Sequence, residues 1–504
     1  MIRRARFTAT TLAVVACAAW TAVVAQTAAV SAPRAPLVAV SHHEGRFGGR
    51  AADVRYTATV AEHFVRDSTG KPLASLVMTS YTRDDVRDPA ARPVMFLFNG
   101  GPGASSTPLH FTAFGPVRRT GAEGAQSMVN NPDSPLDVVD LVFIDPVGTG
   151  YSRPFPGVDG HQFWSRTGDA ASVRKAIEEW IAQNGRAGSP KYLCGESYGT
   201  TRAALILKDP GTLRFDGVLL FAVVGDLEGR EMPYVASLPS FTTVAWYHQK
   251  VPRNSRTVEQ VFDQTAEFAR TEYVTALIRG SSLGAPERRR IAAKMSSLIG
   301  LPAALIEATD LRVSKDTFMF NLVRDRGLRT GQLDGRPTAR LDAPKRRPPY
   351  DDPGMNYDPE APPGASAATL PQTSNAGSAV DVYFKHDLGF ATTETYQALD
   401  LEVNAAWNHE GFTDVNPEFG NAMHANPSLR LFWSGGYFDI TTPLYAARYA
   451  LDQSGVPPER VTAAAFPAGH SVYKEARNRG RLSTVVREFV TGRASAVQDG
   501  ARRR

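Results

Sequence analysis

The serine at position 197 lies in the stretch KYLCGESYGTTRAALIL, and its spacing from two glycines is that of a nucleophile. Gly195-Glu196-Ser197-Tyr198-Gly199 is a G-x-S-x-G pattern, in which small neighbours allow a sharp turn from a strand into a helix. The apolar KYLCG before the serine is typical of a strand, and TTRAALILK after it favours a helix. The alternative is that Ser197 only caps this helix, so its role depends on partners elsewhere in the chain.

Two later residues, Asp439 and His470, supply the acid and the base that such a serine needs. A serine hydroxyl is a weak nucleophile unless a base takes its proton and an acid fixes the tautomer of that base. Asp439 follows the apolar run LRLFWSGG, and His470 follows VTAAAFPAG. Because acid and histidine follow the serine in this order in α/β-hydrolases, we expect Ser197, Asp439 and His470 to form a catalytic triad. Asp145 precedes the serine and is expected to be structural.

Apolar runs and helical patterns alternate on both sides of these residues. PVMFLFNGG, VDLVFIDPVGTG and GVLLFAVVG are continuous apolar runs, as in buried parallel strands. Residues 169–185 and 481–492 have helical spacing, whereas 55–65 and 74–83 alternate like an antiparallel pair. The order predicts an α/β protein with a mostly parallel central sheet.

An insertion over residues 226–395 interrupts this alternation. Its first part, to about residue 330, has mainly helical patterns, whereas 331–378 is rich in proline, glycine and aspartate and predicts an irregular loop. A further helix is predicted at 396–407. The loop's acids lack the spacing of an EF-hand calcium site and are expected to be solvated: Asp351, Asp352, Asp358 and Glu360.

The N-terminus has the layout of a secretory signal peptide. A basic start, MIRRARF, precedes an apolar run and small residues up to Ala25. Cleavage there implies a secreted or periplasmic protein with no membrane attachment beyond export; a membrane anchor or a lipid on Cys17 are the alternatives. The remaining domains are expected to be a low-complexity segment at 26–50, a core in two parts at 51–225 and 396–492, and a basic tail at 493–504.

Composition and charge argue against several other classes of protein. The 504 residues are 42% hydrophobic and 21% charged, which is ordinary for a soluble globular protein. Loss of the leader's three arginines lowers the formal net charge from +5 to +2, and the basic clusters lack aromatic platforms, so no nucleic-acid partner is expected. Without an H-E-x-x-H motif, no metal or cofactor is predicted. After export Cys194 is the single cysteine, so the mature chain forms no internal disulfide.

The stretch FLFNGGPGASS offers donors for an oxyanion, which an acyl-transfer site also requires. Gly100 and Gly101 have no side chains, so their backbone N–H groups can approach a substrate closely. The N–H of Tyr198, directly after the serine, is the expected second donor.

Together, FLFNGGPGASS, VFIDPVGTGYS, CGESYG, the late aspartate and AGH resemble the serine carboxypeptidases, in particular the bacterial members of that family. The resemblance spans roughly residues 50–490. It implies an α/β-hydrolase fold with a mainly helical cap inserted before the Asp439 region. It also implies an enzyme that releases C-terminal residues from peptides.

The resemblance assigns further roles to the glycine loop and its neighbours. In the family, the asparagine of NGGPG and the glutamate before the serine bind the free carboxylate of the substrate, which carries over to Asn99 and Glu196. Gly100 belongs to the same substrate-binding loop. Gly101 and Tyr198 match the family's oxyanion donors.

Two departures from the family pattern stand close to these residues. Ala104 replaces a cysteine that forms a disulfide in family members, and Ala113 stands where many members carry a second glutamate. Adjacent carboxyl groups raise one another's pKa. Without that partner, Glu196 is expected to be ionised over more of the pH range.

Other functions remain open at this point. The same fold and triad serve esterases and acyltransferases, because fold and nucleophile do not fix the acyl acceptor. A non-catalytic binding protein is the third interpretation, against which the complete set of Ser197, Asp439 and His470 argues.

Overall fold

A computed structural model describes residues 34–50, 52–121, 126–225, 227, 229–343, 352–356, 378–411 and 414–492. The expected signal peptide and basic tail lie outside these ranges. Across the described ranges, no helix combines the length and the apolar character needed to cross a bilayer.

The described residues contain strands of two to thirteen residues. In chain order they are β1 (Val38–Gly45), β2 (Val54–Arg66), β3 (Pro72–Arg83), β4 (Val94–Phe98), β5 (Val117–Thr120), β6 (Ser127–Asn130), β7 (Asp140–Asp145), β8 (Arg153–Pro154), β9 (Lys191–Glu196), β10 (Gly217–Phe221), β11 (Leu328–Thr330), β12 (Thr338–Arg340), β13 (Arg430–Gly436) and β14 (Val461–Phe466).

The α-helices lie between and after these strands. They are α1 (Arg166–Gln183), α2 (Tyr198–Lys208), α3 (Met232–Tyr247), α4 (Val258–Phe268), α5 (Val274–Arg279), α6 (Ala285–Ile299), α7 (Ala303–Ala308), α8 (Lys315–Asn321), α9 (Ala379–Val382), α10 (Leu401–Ala405), α11 (Pro417–Ala425), α12 (Leu444–Asp452) and α13 (Ala476–Thr491).

A ten-stranded sheet in the order β1-β2-β3-β7-β4-β9-β10-β13-β14, with β8 beside β3, forms the centre of the fold. β1, β2, β3 and β7 pair antiparallel, and every pair from β7 to β14 is parallel. The carboxyl ends of β9, β13 and β14 therefore lie at one edge of the sheet. Ser197, Asp439 and His470 follow those three ends.

Alternate residues of the central strands pack on opposite faces of the sheet, as the period of a strand requires. Phe96 and Phe98 of β4 belong to an apolar cluster that includes residues of α1, α2 and α3. Met95 and Leu97 belong to a second cluster, with residues of α13. Burial on both faces explains the continuous apolar runs and confirms the predicted mostly parallel α/β sheet.

The chain between β10 and β13 forms a cap on this core. It contains the helices α3 to α11 and a hairpin of β11 and β12. The mainly helical insertion predicted from the sequence is therefore present, within an α/β-hydrolase architecture.

The predicted loop over 331–378 is wrong in two places. Thr338–Arg340 is a strand that pairs with Leu328–Thr330. Asp352, expected to be solvated, is half-buried, and its carboxylate accepts hydrogen bonds from the backbone N–H groups of Gln332 and Asp334. The other acids of the loop lie outside the described residues: Asp351, Asp358 and Glu360.

The helix predicted over 396–407 is present only at Leu401–Ala405. The preceding residues instead make isolated β-bridges, Gln397 with Gly150 and Leu399 with Ala104. Backbone pairing with these loops satisfies the N–H and carbonyl groups that a longer helix would have used.

A buried ion-pair network at the opposite ends of the strands predicts a large effect of one substitution on stability. Asp140 is buried and bonds Arg92 and Arg186, each at 2.7 Å. We expect Asp140→Ala to lower the free energy of unfolding by about 3–5 kcal/mol, because it leaves two guanidinium groups without their counter-charge. Urea denaturation measures this change. The control Asp85→Ala, which breaks the more exposed pair with Arg83, should cost less than about 1 kcal/mol, and equal losses would contradict the assignment.

Candidate active site

Ser197 occupies a strained turn between β9 and α2. Its φ of 58° and ψ of −128° are rare for a residue with a side chain, and such strain is often found at functional sites. The side chain makes no capping hydrogen bond to α2. The alternative in which Ser197 serves as a helix cap is therefore wrong, and its hydroxyl is available for other chemistry.

The two glycines of the G-x-S-x-G pattern are required by close backbone contacts at this turn. A Cβ on Gly195 would lie 2.3 Å from the carbonyl oxygen of Gly199. A Cβ on Gly199 would lie 2.8 Å from the carbonyl oxygen of Phe98, at the end of β4. The pattern thus packs the start of α2 against two strand ends and holds Ser197 in place.

Asp439 and His470 are joined by a hydrogen bond. His470 Nδ1 lies 2.8 Å from Asp439 Oδ2, and the aspartate is fully buried. The other carboxylate oxygen accepts hydrogen bonds from the backbone N–H groups of Thr441 and Thr442, at 2.8 and 3.0 Å. The Thr442 hydroxyl also donates to Asp439 Oδ2, at 2.5 Å. These contacts fix the carboxylate and, through it, the imidazole.

A side-chain contact brings His470 and Ser197 together through their neighbours. Ser471 Oγ donates to Glu196 Oε1 at 3.0 Å, so the residue after the histidine touches the residue before the serine. Within the described ranges no hydrogen bond joins Ser197 Oγ to His470. Catalytic hydrogen bonds are often longer in the absence of substrate, so this does not exclude a catalytic pair.

Two carboxylates set the protonation of His470. Burial of the imidazole favours its neutral form, but the charge of Asp439 and its hydrogen bond outweigh burial and raise the pKa of His470 above its ordinary value. Glu196 adds to the increase, and Lys474 opposes it. The surroundings therefore stabilise the imidazolium form of His470.

Glu196 is buried and surrounded by hydrogen-bond donors. Asn99 Nδ2 and the Tyr473 hydroxyl both donate to its Oε2, and Ser471 donates to its Oε1. Burial nevertheless raises the pKa of Glu196 above the ordinary value for glutamate. The prediction that Glu196 is ionised over more of the pH range overlooked this desolvation, which acts in the same direction as the second carboxyl that Ala113 replaces.

Asn99 is held by contacts on three sides. Its Oδ1 accepts from the Leu109 N–H at 3.1 Å, and its backbone carbonyl accepts from Arg202 at 2.6 Å. Arg202 is buried and bonds Asp169 at 2.7 Å. These contacts orient the amide of Asn99 so that it donates to Glu196.

The glycine loop packs directly on the start of α2. A Cβ on Gly100 would lie 2.3 Å from the backbone nitrogen of Tyr198, so only glycine fits there. Gly101 has a φ of +96°, in the region that favours glycine. The loop and the Tyr198 N–H are thus adjacent, which is the placement that two oxyanion donors need.

The segment around α10 covers this loop. Asn404 Nδ2 donates to the carbonyl oxygen of Pro102 at 2.8 Å, and the Asp400 N–H donates to Gly103. The ring of Trp407 meets that of Tyr198 edge to face, with centroids 5.1 Å apart. An aromatic wall therefore stands beside the residue that follows the candidate nucleophile.

Asp145 and Ala113 are two residues near the glycine loop for which no catalytic role is expected. The Asp145 carboxylate accepts from the N–H and the hydroxyl of Ser106, at 2.8 and 2.7 Å, and so holds the loop after the glycines. Ala113 is buried. No catalytic contact is made by either residue among those that the structure describes.

Several contributors to the site were missed by sequence reasoning. Thr442 follows Asp439 by three residues, and Ser471 and Tyr473 follow His470 by one and three. Their short spacing from the candidate residues was a usable signal. Arg202 carried no such signal, because its contact with Asn99 depends on how α2 packs under β4.

Comparison with known protein families supports the resemblance drawn from the motifs. The model of the serine carboxypeptidase family matches residues 80–207, a range that contains the glycine loop and Ser197. Among curated proteins, none matches this chain.

Solved structures with the same fold include a carboxypeptidase. Kex1(Δ)p, a prohormone-processing carboxypeptidase from Saccharomyces cerevisiae, is 15% identical, with a TM-score of 0.51 over 91% of this chain and 91% of its own. The peroxisomal α/β-hydrolase Lpx1 from the same organism is 10% identical, with a TM-score of 0.37 over 92% of this chain and 91% of its own. An esterase from Exiguobacterium antarcticum is 12% identical, with a TM-score of 0.35 over 85% and 98%.

We expect Asp439→Asn to lower kcat/KM for a simple ester by about 10⁴-fold, because an amide no longer fixes the tautomer of His470 or stabilises its charge. Initial rates, with Ser197→Ala as the inactive baseline, measure the effect. Activity near that of the wild type would show that the hydrogen bond between Asp439 and His470 has no catalytic role.

The charge of Glu196 predicts a shift in pH dependence. His470 must be neutral to accept a proton, so activity is lost as the pH falls through its raised pKa. Glu196→Gln removes one cause of that increase, and we expect the acid limb of kcat/KM for a neutral ester to move to lower pH. The exposed Glu459, in the turn before β14, provides the control Glu459→Gln. An unchanged acid limb, or one moved to higher pH, would contradict the assignment.

Proposed function

We propose that this chain, a serine carboxypeptidase-like hydrolase by its family match and its fold, releases C-terminal residues from peptides through Ser197, Asp439 and His470. The observation that carries the proposal is the pairing of His470 with the buried Asp439 at 2.8 Å, beside the strained turn of Ser197. A histidine paired with a carboxylate in this way can take the proton of a serine hydroxyl, which supports the proposal.

In this mechanism His470 takes the proton of Ser197 as the hydroxyl attacks the carbonyl carbon of the scissile bond. The backbone N–H groups of Gly101 and Tyr198 stabilise the oxyanion. His470 then protonates the leaving amine, and an acyl group remains on Ser197. Water, activated by the same imidazole, attacks this ester, and the shortened peptide leaves with Ser197 restored.

The free carboxylate of the peptide is bound by Asn99 and Glu196, with Gly100 giving the backbone room to approach. Two carboxyl groups interact favourably only when one is protonated. Because burial raises the pKa of Glu196, its protonated form persists to higher pH than that of an exposed glutamate. We infer that Glu196 donates to the substrate carboxylate in that form, without a second acid at Ala113.

We also propose that the protein is exported from the cell interior. The first 25 residues have the features of a signal peptide, which supports secretion or a periplasmic location, with a lipid on Cys17 as the alternative. Peptides are the proposed partners, and nucleic acid is not among them.

A second candidate function is an esterase or acyltransferase on the same triad. Ala113 favours it, because the carboxylate-binding pair of many family members is incomplete without a second glutamate. In that case the terminal carboxylate of a peptide adds little to binding.

Peptides offered with a free C-terminus and as the C-terminal amide separate these functions. The mature protein is incubated with both, with Ser197→Ala as the control, and the products are followed by mass spectrometry across pH. We expect single residues to be lost from the free acid only. If neither peptide is cut while a simple ester is hydrolysed through Ser197, the carboxypeptidase proposal is wrong and the second candidate replaces it.

A further inference from the structure

A loop of the cap is bonded directly to the turn that carries Asp439. Residues 331–336, here called the strap, connect β11 to β12. The Ile440 N–H donates to the carbonyl oxygen of Gln332 at 3.1 Å, and the Gly335 N–H donates to that of Phe438 at 2.9 Å. The residues on both sides of Asp439 are therefore fixed by backbone groups of the strap.

The strap also holds the backbone of the candidate base. The His470 N–H donates to the carbonyl oxygen of Leu333 at 2.7 Å. The fit is tight, because a Cβ on Gly469 would lie 2.6 Å from that same oxygen and 2.5 Å from the Cβ of Asp334. The strap thus bridges the two turns whose side chains must meet, and its position affects the distance between them.

The middle of the strap is bonded to one carboxylate, that of Asp352. Its Oδ1 accepts from the Gln332 N–H at 3.0 Å and its Oδ2 from the Asp334 N–H at 2.8 Å. Both N–H groups belong to residues next to Leu333, the strap's contact with His470. Gly331 closes the arrangement, since a Cβ there would lie 2.4 Å from Asp352 Oδ2.

Arg336 anchors the far end of the strap. Its guanidinium bonds Asp334 at 2.7 Å and Glu475 at 2.5 Å, and it lies over the ring of Phe438, 5.0 Å from its centroid. The strap is therefore attached to the start of α13 as well as to the turn of Asp439. Asp352 bonds the middle of the strap, on both sides of Leu333, whose carbonyl oxygen accepts from the His470 N–H.

We propose that Asp352 is a positioning residue of this site, which holds the strap so that its backbone keeps the turns of Asp439 and His470 in register. The inference rests on the proposed function, because it assigns to Asp352 the alignment of that triad. Asp352 lies in the cap insertion, far from both turns in sequence, so the cap contributes to the catalytic geometry as well as covering the core.

Loss of this alignment has a distinctive effect on pH dependence. The charged groups that act on His470 are Asp439, Glu196 and, in the opposite sense, Lys474. If the strap shifts, the hydrogen bond between His470 and Asp439 lengthens while the other two groups remain. The acid limb should then move to lower pH as the rate falls, which a change in overall stability alone would not cause.

Two variants disturb the strap independently. Asp352→Asn keeps the size of the side chain but replaces one of its two acceptor oxygens with a donor. Gly331→Ala places a methyl group against the Asp352 carboxylate. The control is Asp342→Asn, which changes an exposed acid paired with Arg340 at the end of the same hairpin.

The readout is the rate of covalent inactivation by a fluorophosphonate as a function of pH, with each protein assayed well below its own unfolding midpoint. We expect Asp352→Asn and Gly331→Ala to react about 10–100-fold more slowly, as for a small misplacement of catalytic groups, with the acid limb at lower pH. Asp342→Asn should match the wild type.

Each other result contradicts a different claim. Folded Asp352→Asn and Gly331→Ala proteins that react at the wild-type rate with an unchanged acid limb would overturn the positioning role. Failure of both variants to fold would make the role of Asp352 purely structural. If the wild type itself is not labelled at Ser197, the proposed function fails, and the inference about Asp352 fails with it.

Discussion

The hydrogen bond between His470 and the buried Asp439 is the interaction on which the site depends. A carboxylate without solvent must be satisfied by charge and by hydrogen bonds, and here it accepts two backbone N–H groups, a threonine hydroxyl and the imidazole. The parallel sheet makes this possible, because it brings the ends of β13, β14 and β9 to one edge. The strained turn of Ser197 then presents the hydroxyl at that edge.

A second buried carboxylate, that of Glu196, connects Asn99, a candidate carboxylate-binding residue, with the surroundings of His470, the candidate base. Ser471 and Asn99 both donate hydrogen bonds to the Glu196 carboxylate, and the charge of Glu196 raises the pKa of the His470 imidazole. Its own pKa is raised by burial. The protonation states of Glu196 and His470 are therefore coupled, so that a change in the charge of Glu196 would alter the pKa of the candidate base.

The fold and the candidate triad could be predicted from the sequence because local patterns determine them. Apolar runs identified the parallel strands, and Asp439 and His470 were found by their position after two such runs. The strap could not be predicted, since its contacts use backbone carbonyl groups that any residue provides. Burial of Glu196 and Asp352 also escaped prediction, because desolvation depends on the packing of distant segments over each carboxylate.

The most direct test of the account is to identify the residue that a fluorophosphonate modifies in the wild-type protein. Digestion and mass spectrometry locate the adduct. We expect a single stoichiometric adduct on Ser197, which is absent when the protein carries Ser197→Ala. An unmodified protein, or an adduct on another residue, would contradict the claim that the strained turn, His470 and Asp439 together make Ser197 a nucleophile.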